Sequence, residues 1–142
     1  MTELEVVKKM QKKYGEGAVV RMDSAKVEKI EAIPTGSLLL DYAIGIGGVP
    51  RGRIIEVYGM ESSGKTTVCL QTAAEAQKMS MNVAYIDVEN ALDIFYAKRL
   101  GVDIEKLYIS QPDSAEEALD IVENYVRSGD FGLIIIDSIA AL

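Results

Sequence analysis

The stretch Arg53-Ile54-Ile55-Glu56-Val57-Tyr58-Gly59-Met60-Glu61-Ser62-Ser63-Gly64-Lys65-Thr66-Thr67 decides the reading of this chain, because its character changes twice. An apolar, β-branched run predicts a strand over 53–58, and a Gly/Ser turn follows. The chain then emerges into Thr66-Thr67-Val68-Cys69-Leu70-Gln71-Thr72-Ala73-Ala74-Glu75-Ala76-Gln77, which has helical composition. Gly59 to Thr66 fits G-x-x-x-x-G-K-[ST], the phosphate-loop pattern, in the strand–turn–helix setting that the pattern requires.

Each residue type in that loop has a physical task. Gly59 and Gly64 permit backbone angles that other residues resist and keep side chains away from a phosphate. The amides of Met60, Glu61, Ser62 and Ser63 can then converge on an anion, with the positive end of the following helix dipole aimed at the same space. Lys65 offers a mobile ammonium to the β- and γ-phosphates, and the Thr66 hydroxyl is placed to ligate Mg²⁺. A Gly-rich connector with a solvated lysine is the competing reading, and the strand and helix on either side argue against it. Binding of a nucleoside triphosphate is the expectation.

A length of 142 residues suits one domain with a real core. The balance of 15 Lys plus Arg against 22 Asp plus Glu gives a net charge of −7, so the bulk surface repels nucleic acid unless basic residues are gathered locally or supplied elsewhere. The single cysteine, Cys69, excludes an internal disulfide, suits a reducing compartment and reads as a packed thiol. No apolar run approaches the ~18 residues of a membrane span, and the N-terminus lacks a basic-then-apolar signal pattern. The chain is expected to be soluble and cytoplasmic, with no membrane partner. Histidine is absent, and with it any His-based metal site.

Working outward, Thr2 and Glu5 have capping-box spacing, and Leu4, Val7, Met10 and Tyr14 recur along one side of a short helix that stops at Gly15. Residues 17–22 are a brief strand candidate, and Asp23 to Glu31 reads as a linker. Ser37 can cap a helix over 38–44, and the glycines from Gly45 to Gly52 read as a turn. A second strand over 81–89 ends in acidic residues, a helix is expected over Ala91 to Leu100, and Leu107 to Ile109 is a third strand. Asp113 and Glu116 form a capping-type pair before a helix ended by Ser128-Gly129, and Leu133 to Asp137 is a fourth strand. Apolar strands alternating with helices predict an α/β fold whose parallel sheet is covered on both faces.

In such sheets ligands gather at the carboxyl ends of strands, which puts Glu89 and Asp137 on the edge that carries the phosphate loop. A carboxylate after four aliphatic residues has the form of a Walker-B strand, which makes Asp137 an Mg²⁺-holding acid rather than a cap for the next turn. Hydrolysis needs a group to orient and polarise water near the γ-phosphate. Glu89 and Asp87 both qualify, since alternation puts them on one face of their strand.

The chain closely resembles the bacterial RecA recombinases, from its N-terminal helix to Leu142. The likeness is carried by Thr35-Gly36-Ser37, by Gly45-Ile46-Gly47-Gly48-Val49-Pro50-Arg51-Gly52-Arg53, by Gly59 to Thr67, by Asp87-Val88-Glu89-Asn90-Ala91-Leu92-Asp93 and by Ile135 to Leu142. The resemblance implies a P-loop NTPase fold, the RecA-like ATPase core, over residues 32–142, incomplete at its C-terminus. Residues 1–31 would be a polymerisation helix, strand and linker. It implies a DNA-dependent ATPase that uses ATP and Mg²⁺, self-associates into filaments on single-stranded DNA through residues 1–22, and promotes strand exchange in recombination, repair and the SOS response to DNA damage. By family pattern Gly59 to Thr67 hold phosphates, Thr66 and Asp137 serve the metal, and Lys65 and Glu89 are catalytic, Glu89 by activating the attacking water. Asp93 and Tyr96 meet the adenine base, although Tyr96 is equally readable as a core-facing helix residue.

Met60 stands where the family usually has Pro, Asn90 where His is common and Ile94 where Pro is common, which loosens the loop and the start of the helix carrying Tyr96. The family's DNA-binding loops follow the equivalent of Leu142, and its topology places a further strand between the Walker-B and phosphate-loop strands. A fragment or part of a longer protein is therefore expected, with two rows of backbone groups unpaired. Two other readings compete: a non-enzymatic piece that binds nucleotide or full-length protomers, and a free-standing P-loop kinase, for which no acceptor site is visible.

Overall fold

The computed structural model describes residues 4–22 and 30–139. In chain order the elements are α1 (Glu5–Tyr14), β1 (Ala32–Ile33), α2 (Leu38–Ile44), β2 (Val49–Pro50), α3 (Lys65–Lys78), β3 (Asn82–Asp87), α4 (Ile94–Arg99), β4 (Leu107–Ser110), α5 (Ala115–Ser128) and β5 (Phe131–Asp137). Strands β3, β4 and β5 form one parallel sheet in the order β4-β3-β5, and β1 and β2 form a separate antiparallel pair. Parallel neighbours need a crossover between them, which α4 and α5 provide.

The central strand β3 is buried on both faces. Val83 and Tyr85 pack against Leu70, Ala73, Ala74 and Ala76 of α3, together with Ile33, Ala97, Val102 and Ile135. Alternation sends Ala84 and Ile86 to the opposite face, where they too are fully buried. Helix α5, which packs on β5 through a side that includes the buried Ala118, covers that second face. The small alanines of α3 let its backbone come close to the sheet, which fixes where its first turn, and the loop before it, must sit. None of the described helices is long and apolar enough to cross a membrane.

The largest correction concerns residues 53–58. They form no strand: they run without a ladder partner among the described residues, and Ile54 and Tyr58 are exposed at 103% and 85%. A β-branched sequence favours extended backbone, but only a neighbour's N–H and C=O groups turn that into a strand. The outer edge of β5, which pairs only with β3, is likewise free among the described residues. The free edge of β5 is one of the two rows anticipated from the resemblance; the other presupposed a strand over 53–58, which is not formed.

Smaller corrections follow the same logic of partners and caps. Residues 17–22 are not a strand: a single 3₁₀ turn, Glu16–Ala18, is followed by extended backbone whose Val19 carbonyl accepts from the Gln11 side chain at 2.8 Å. Thr2 and most of the linker, residues 23–29, lie outside the described residues, and α1 begins after Leu4 with no side-chain cap. The helix expected from Ala91 starts only at Ile94, because the Asp93 carboxylate accepts from the N–H groups of Phe95 and Tyr96. The capping pair before α5 sits one residue later: Ser114 accepts from the Glu117 N–H, while the Glu117 carboxylate accepts from the Asp113 N–H. The glycine turn contains β2, whose approach to β1 brings Gly48 against the Ile33 carbonyl. The Ser37 cap on α2 and the left-handed Gly129 after α5 are as expected.

Candidate functional site

The loop from Gly59 to Gly64 leads straight into the first turn of α3, where Gly64 occupies the N-cap with φ 93° and ψ 15°. That left-handed geometry is open to glycine without strain, and it aims the first helical amides into the loop. Gly59 has a different reason: a Cβ there would lie 2.9 Å from Ser63 Oγ. Lys65 folds back over the loop, its ammonium donating to the carbonyls of Gly59 at 3.1 Å and Met60 at 2.9 Å.

The register of the sheet brings the acidic residues to the same place. Asp87 on β3 pairs with Asp137 on β5, so the carboxyl ends of both strands lie side by side. Asp137 Oδ2 accepts from Thr66 Oγ1 at 2.7 Å and from the Tyr85 hydroxyl at 2.6 Å, which joins the first turn of α3 to the tip of β5. Glu89 lies just past β3, where its Oε1 accepts from Ser138 Oγ at 2.6 Å. Thr67 Oγ1 and the Tyr96 hydroxyl share a hydrogen bond of 2.9 Å, tying α4 to α3.

Asp87, the alternative base, is held differently. It is 2% exposed, and its carboxylate accepts from the N–H groups of Ala91 and Leu92 and from Gln111 Nε2 at 3.0 to 3.1 Å. Three of its roughly four lone-pair sites are taken up in shaping the turn after β3. Asp93 is taken up likewise in capping α4. Tyr96 is 38% exposed, neither a core residue nor free of its neighbours.

Burial and charge act on two further groups. The Tyr85 phenol is pushed far above its ordinary pKa, first by burial and then by its bond to Asp137. The Cys69 thiol is raised by burial first and by the Asp137 charge second. Both remain protonated near neutrality, so Tyr85 is a fixed donor to the carboxylate.

Hard oxygen donors from Thr66 and Asp137, converging beside a glycine-rich loop at a helix N-terminus, suit Mg²⁺, which takes one or two protein oxygens and leaves its other positions to water or ligand. Among the described residues no group of three or more acidic, His or Cys side chains forms a cage for a metal. Tyr85, Ser138 and Gln111 were missed in the sequence. The signal for Tyr85 was its place on the same face as Asp87, two residues earlier; Ser138 lies in the stretch Ile135 to Leu142 that carries the resemblance, with no role attached to it, and Gln111 gave none.

Comparison with known proteins yields a consistent answer. Residues 3–142 match the family described as the RecA N-terminal domain. The chain is 59% identical over 133 residues to Protein RecA of Ruminococcus albus, covering 94% of this chain and 33% of that protein. It is 60% identical over 136 residues to Protein RecA of Helicobacter hepaticus, covering 96% of this chain and 39% of that protein. The chain thus spans between a third and two-fifths of the length of these curated relatives.

Proposed function

The chain belongs to the RecA N-terminal domain family, and from that membership we propose that it is the Mg²⁺-ATP-binding part of a DNA-dependent ATPase recombinase. The observation that carries the reading is the Thr66–Asp137 hydrogen bond, which joins a glycine-rich loop at a helix N-terminus to an acid at the end of a parallel strand. Phosphates enter the loop from Gly59 to Thr67, where backbone amides and the helix dipole favour them. Lys65 exchanges the carbonyls of Gly59 and Met60 for phosphate oxygens, an exchange of neutral acceptors for charged ones. Thr66 and Asp137 would hold Mg²⁺, which when bound neutralises charge on the transferring phosphoryl group. Glu89, oriented by Ser138, polarises the attacking water; Asp87, its carboxylate already occupied by three donors, does not. Tyr96, tied to α3 through Thr67, and Asp93, which caps the helix carrying Tyr96, would serve as the base-binding residues.

The same proposal covers assembly and DNA. Residues 1–22 act as a self-association arm ahead of the core at 32–142, a role supported by α1, which buries no residue and leaves Leu4, Val6 and Tyr14 exposed. Filaments formed this way carry single-stranded DNA for strand exchange in cytoplasmic recombination and repair. Basic residues beyond this acidic chain's own surface would hold that DNA, given its net charge of −7.

The test is binding of a fluorescent ATP analogue with Mg²⁺ to the 142-residue chain, with thermal melting alongside. Saturable binding that raises the melting temperature, and that Lys65→Ala weakens at least tenfold, is expected. Equal binding by the wild type and Lys65→Ala would overturn the assignment of the loop.

A further inference from the structure

One buried group at the site carries no role in the mechanism above: the phenol of Tyr85. The residue is 1% exposed, and its ring packs in the core formed by α3 and β3. Its register partner on β5 is Ile135, two residues before Asp137, so the two side chains share a face of the sheet. Two residues of strand are roughly 6.6 Å of rise, a span that a tyrosine's ring and hydroxyl cover and a shorter polar side chain does not. The hydroxyl ends 2.6 Å from Asp137 Oδ2, the oxygen that Thr66 Oγ1 also reaches at 2.7 Å.

Two donors on one carboxylate oxygen use both of its lone pairs and fix the rotation of the group. Asp137 Oδ1 has no side-chain donor among the described residues. We propose that Tyr85 is a positioning residue for the divalent cation: with Thr66 it locks Oδ2, so that Oδ1 is the oxygen presented to a hydrated Mg²⁺. The inference rests on the reading of Asp137 as the metal-holding acid. It goes beyond that reading by assigning the tuning of cation affinity to a core residue on a neighbouring strand. A hydroxyl that merely satisfies itself in the core would leave cation affinity untouched when removed, whereas a partner of a metal-side carboxylate changes it.

The experiment titrates Mg²⁺ against a fluorescent ATP analogue on the full chain as wild type, Tyr85→Phe and Asp137→Asn. Each is also assayed for analogue binding in EDTA and for its melting curve. Tyr85→Phe keeps the ring, so it is expected to melt cooperatively and to bind the analogue in EDTA as the wild type does. Its half-saturating Mg²⁺ concentration is expected to rise by about tenfold or more. A midpoint within twofold of wild type, while Asp137→Asn shifts strongly, would overturn the role of Tyr85 and leave Asp137 standing. An unshifted midpoint for Asp137→Asn would remove the metal reading itself, and the proposal with it. Equal weakening of EDTA and Mg²⁺ binding by Tyr85→Phe, or its failure to fold, would make the hydroxyl structural.

Discussion

Removing the Asp87 carboxylate should cost stability, whereas neutralising Glu89 two residues later should not. Asp87 is almost wholly buried and accepts from the amides of Ala91 and Leu92 and from the Gln111 side chain. Asp87→Ala leaves those three donors without their acceptor. Each hydrogen bond to a charged acceptor contributes about 1.5–3 kcal/mol, and water that reaches the donors of Ala91 and Gln111, both exposed residues, recovers some of it, so a net loss of about 3–5 kcal/mol follows. At this chain length each kcal/mol shifts the melting temperature by about 3–4 °C, which makes the expected drop roughly 10 °C or more. Asp87→Asn should fall between the two, because its oxygen can serve both backbone amides while Gln111 turns its amide over to accept from the new NH₂ group. Glu89→Gln, at an exposed residue with a single donor, should stay within about 0.5 kcal/mol of wild type. Urea and thermal melts of the four proteins measure this order directly. An Asp87→Ala protein within about 1 kcal/mol of wild type would refute the claim that the carboxylate is occupied in shaping the turn, and would return Asp87 to contention as the base.

Three further outcomes are expected. Gly48→Ala should destabilise by about 2 kcal/mol or more, read from urea midpoints, since its Cβ would lie 2.1 Å from the Ile33 carbonyl oxygen at a φ of +148°; an unchanged midpoint would mean that β1 and β2 do not pair this way. Stability should fall as pH rises above the ordinary thiol and phenol pKa values, about 8.5 and 10, because the folded state holds protons on Cys69 and Tyr85 that the unfolded chain releases. Tyr85→Phe should flatten the part above about 10, and a flat wild-type profile between pH 8 and 11, read from ~equal urea midpoints, would contradict the burial of these groups. Ile54→Ser should leave stability within about 0.5 kcal/mol, against about 2–5 kcal/mol for Leu70→Ala, and a larger loss at Ile54 would place residues 53–58 in a buried contact.

The parts of the fold legible in the sequence were those set by local chemistry. Helix α3 after a glycine turn, the Ser37 cap, the stop at Gly129 and the apolar strands β3 and β5 each depend on residues close in the chain. What failed depended on partners. Residues 53–58 have the composition of a strand, yet nothing among the described residues pairs with them; β2 was hidden inside a glycine turn because its ladder is only two residues long. At the site, spacing placed Glu89 and Asp87 on the same face and stopped there. The distinction came from Ala91, Leu92 and Gln111, whose donors converge on Asp87 only once the turn and the end of β4 are built. Tyr85 falls within the strand expected over 81–89, but its alignment with the tip of β5 follows from sheet register.

The geometry also says from which side the loop from Gly59 to Gly64 is held. On its N-terminal side the chain arrives through residues 53–58, exposed and without a ladder partner among the described residues, so that side contributes little rigidity. On its C-terminal side, α3 is anchored by Leu70, Ala73, Ala74 and Ala76, and its first turn is tied to β5 through Thr66–Asp137 and to α4 through Thr67–Tyr96. The residues that would meet Mg²⁺ and the base are thus those the packed core already positions. The loop's entrance is held by Lys65, whose ammonium spans the Gly59 and Met60 carbonyls. A phosphate that draws Lys65 away removes that hold and replaces it with its own bonds to the loop amides. Ligand and lysine are therefore alternative closures of one loop, and nucleotide binding should order the Gly59–Gly64 segment far more than it moves α3.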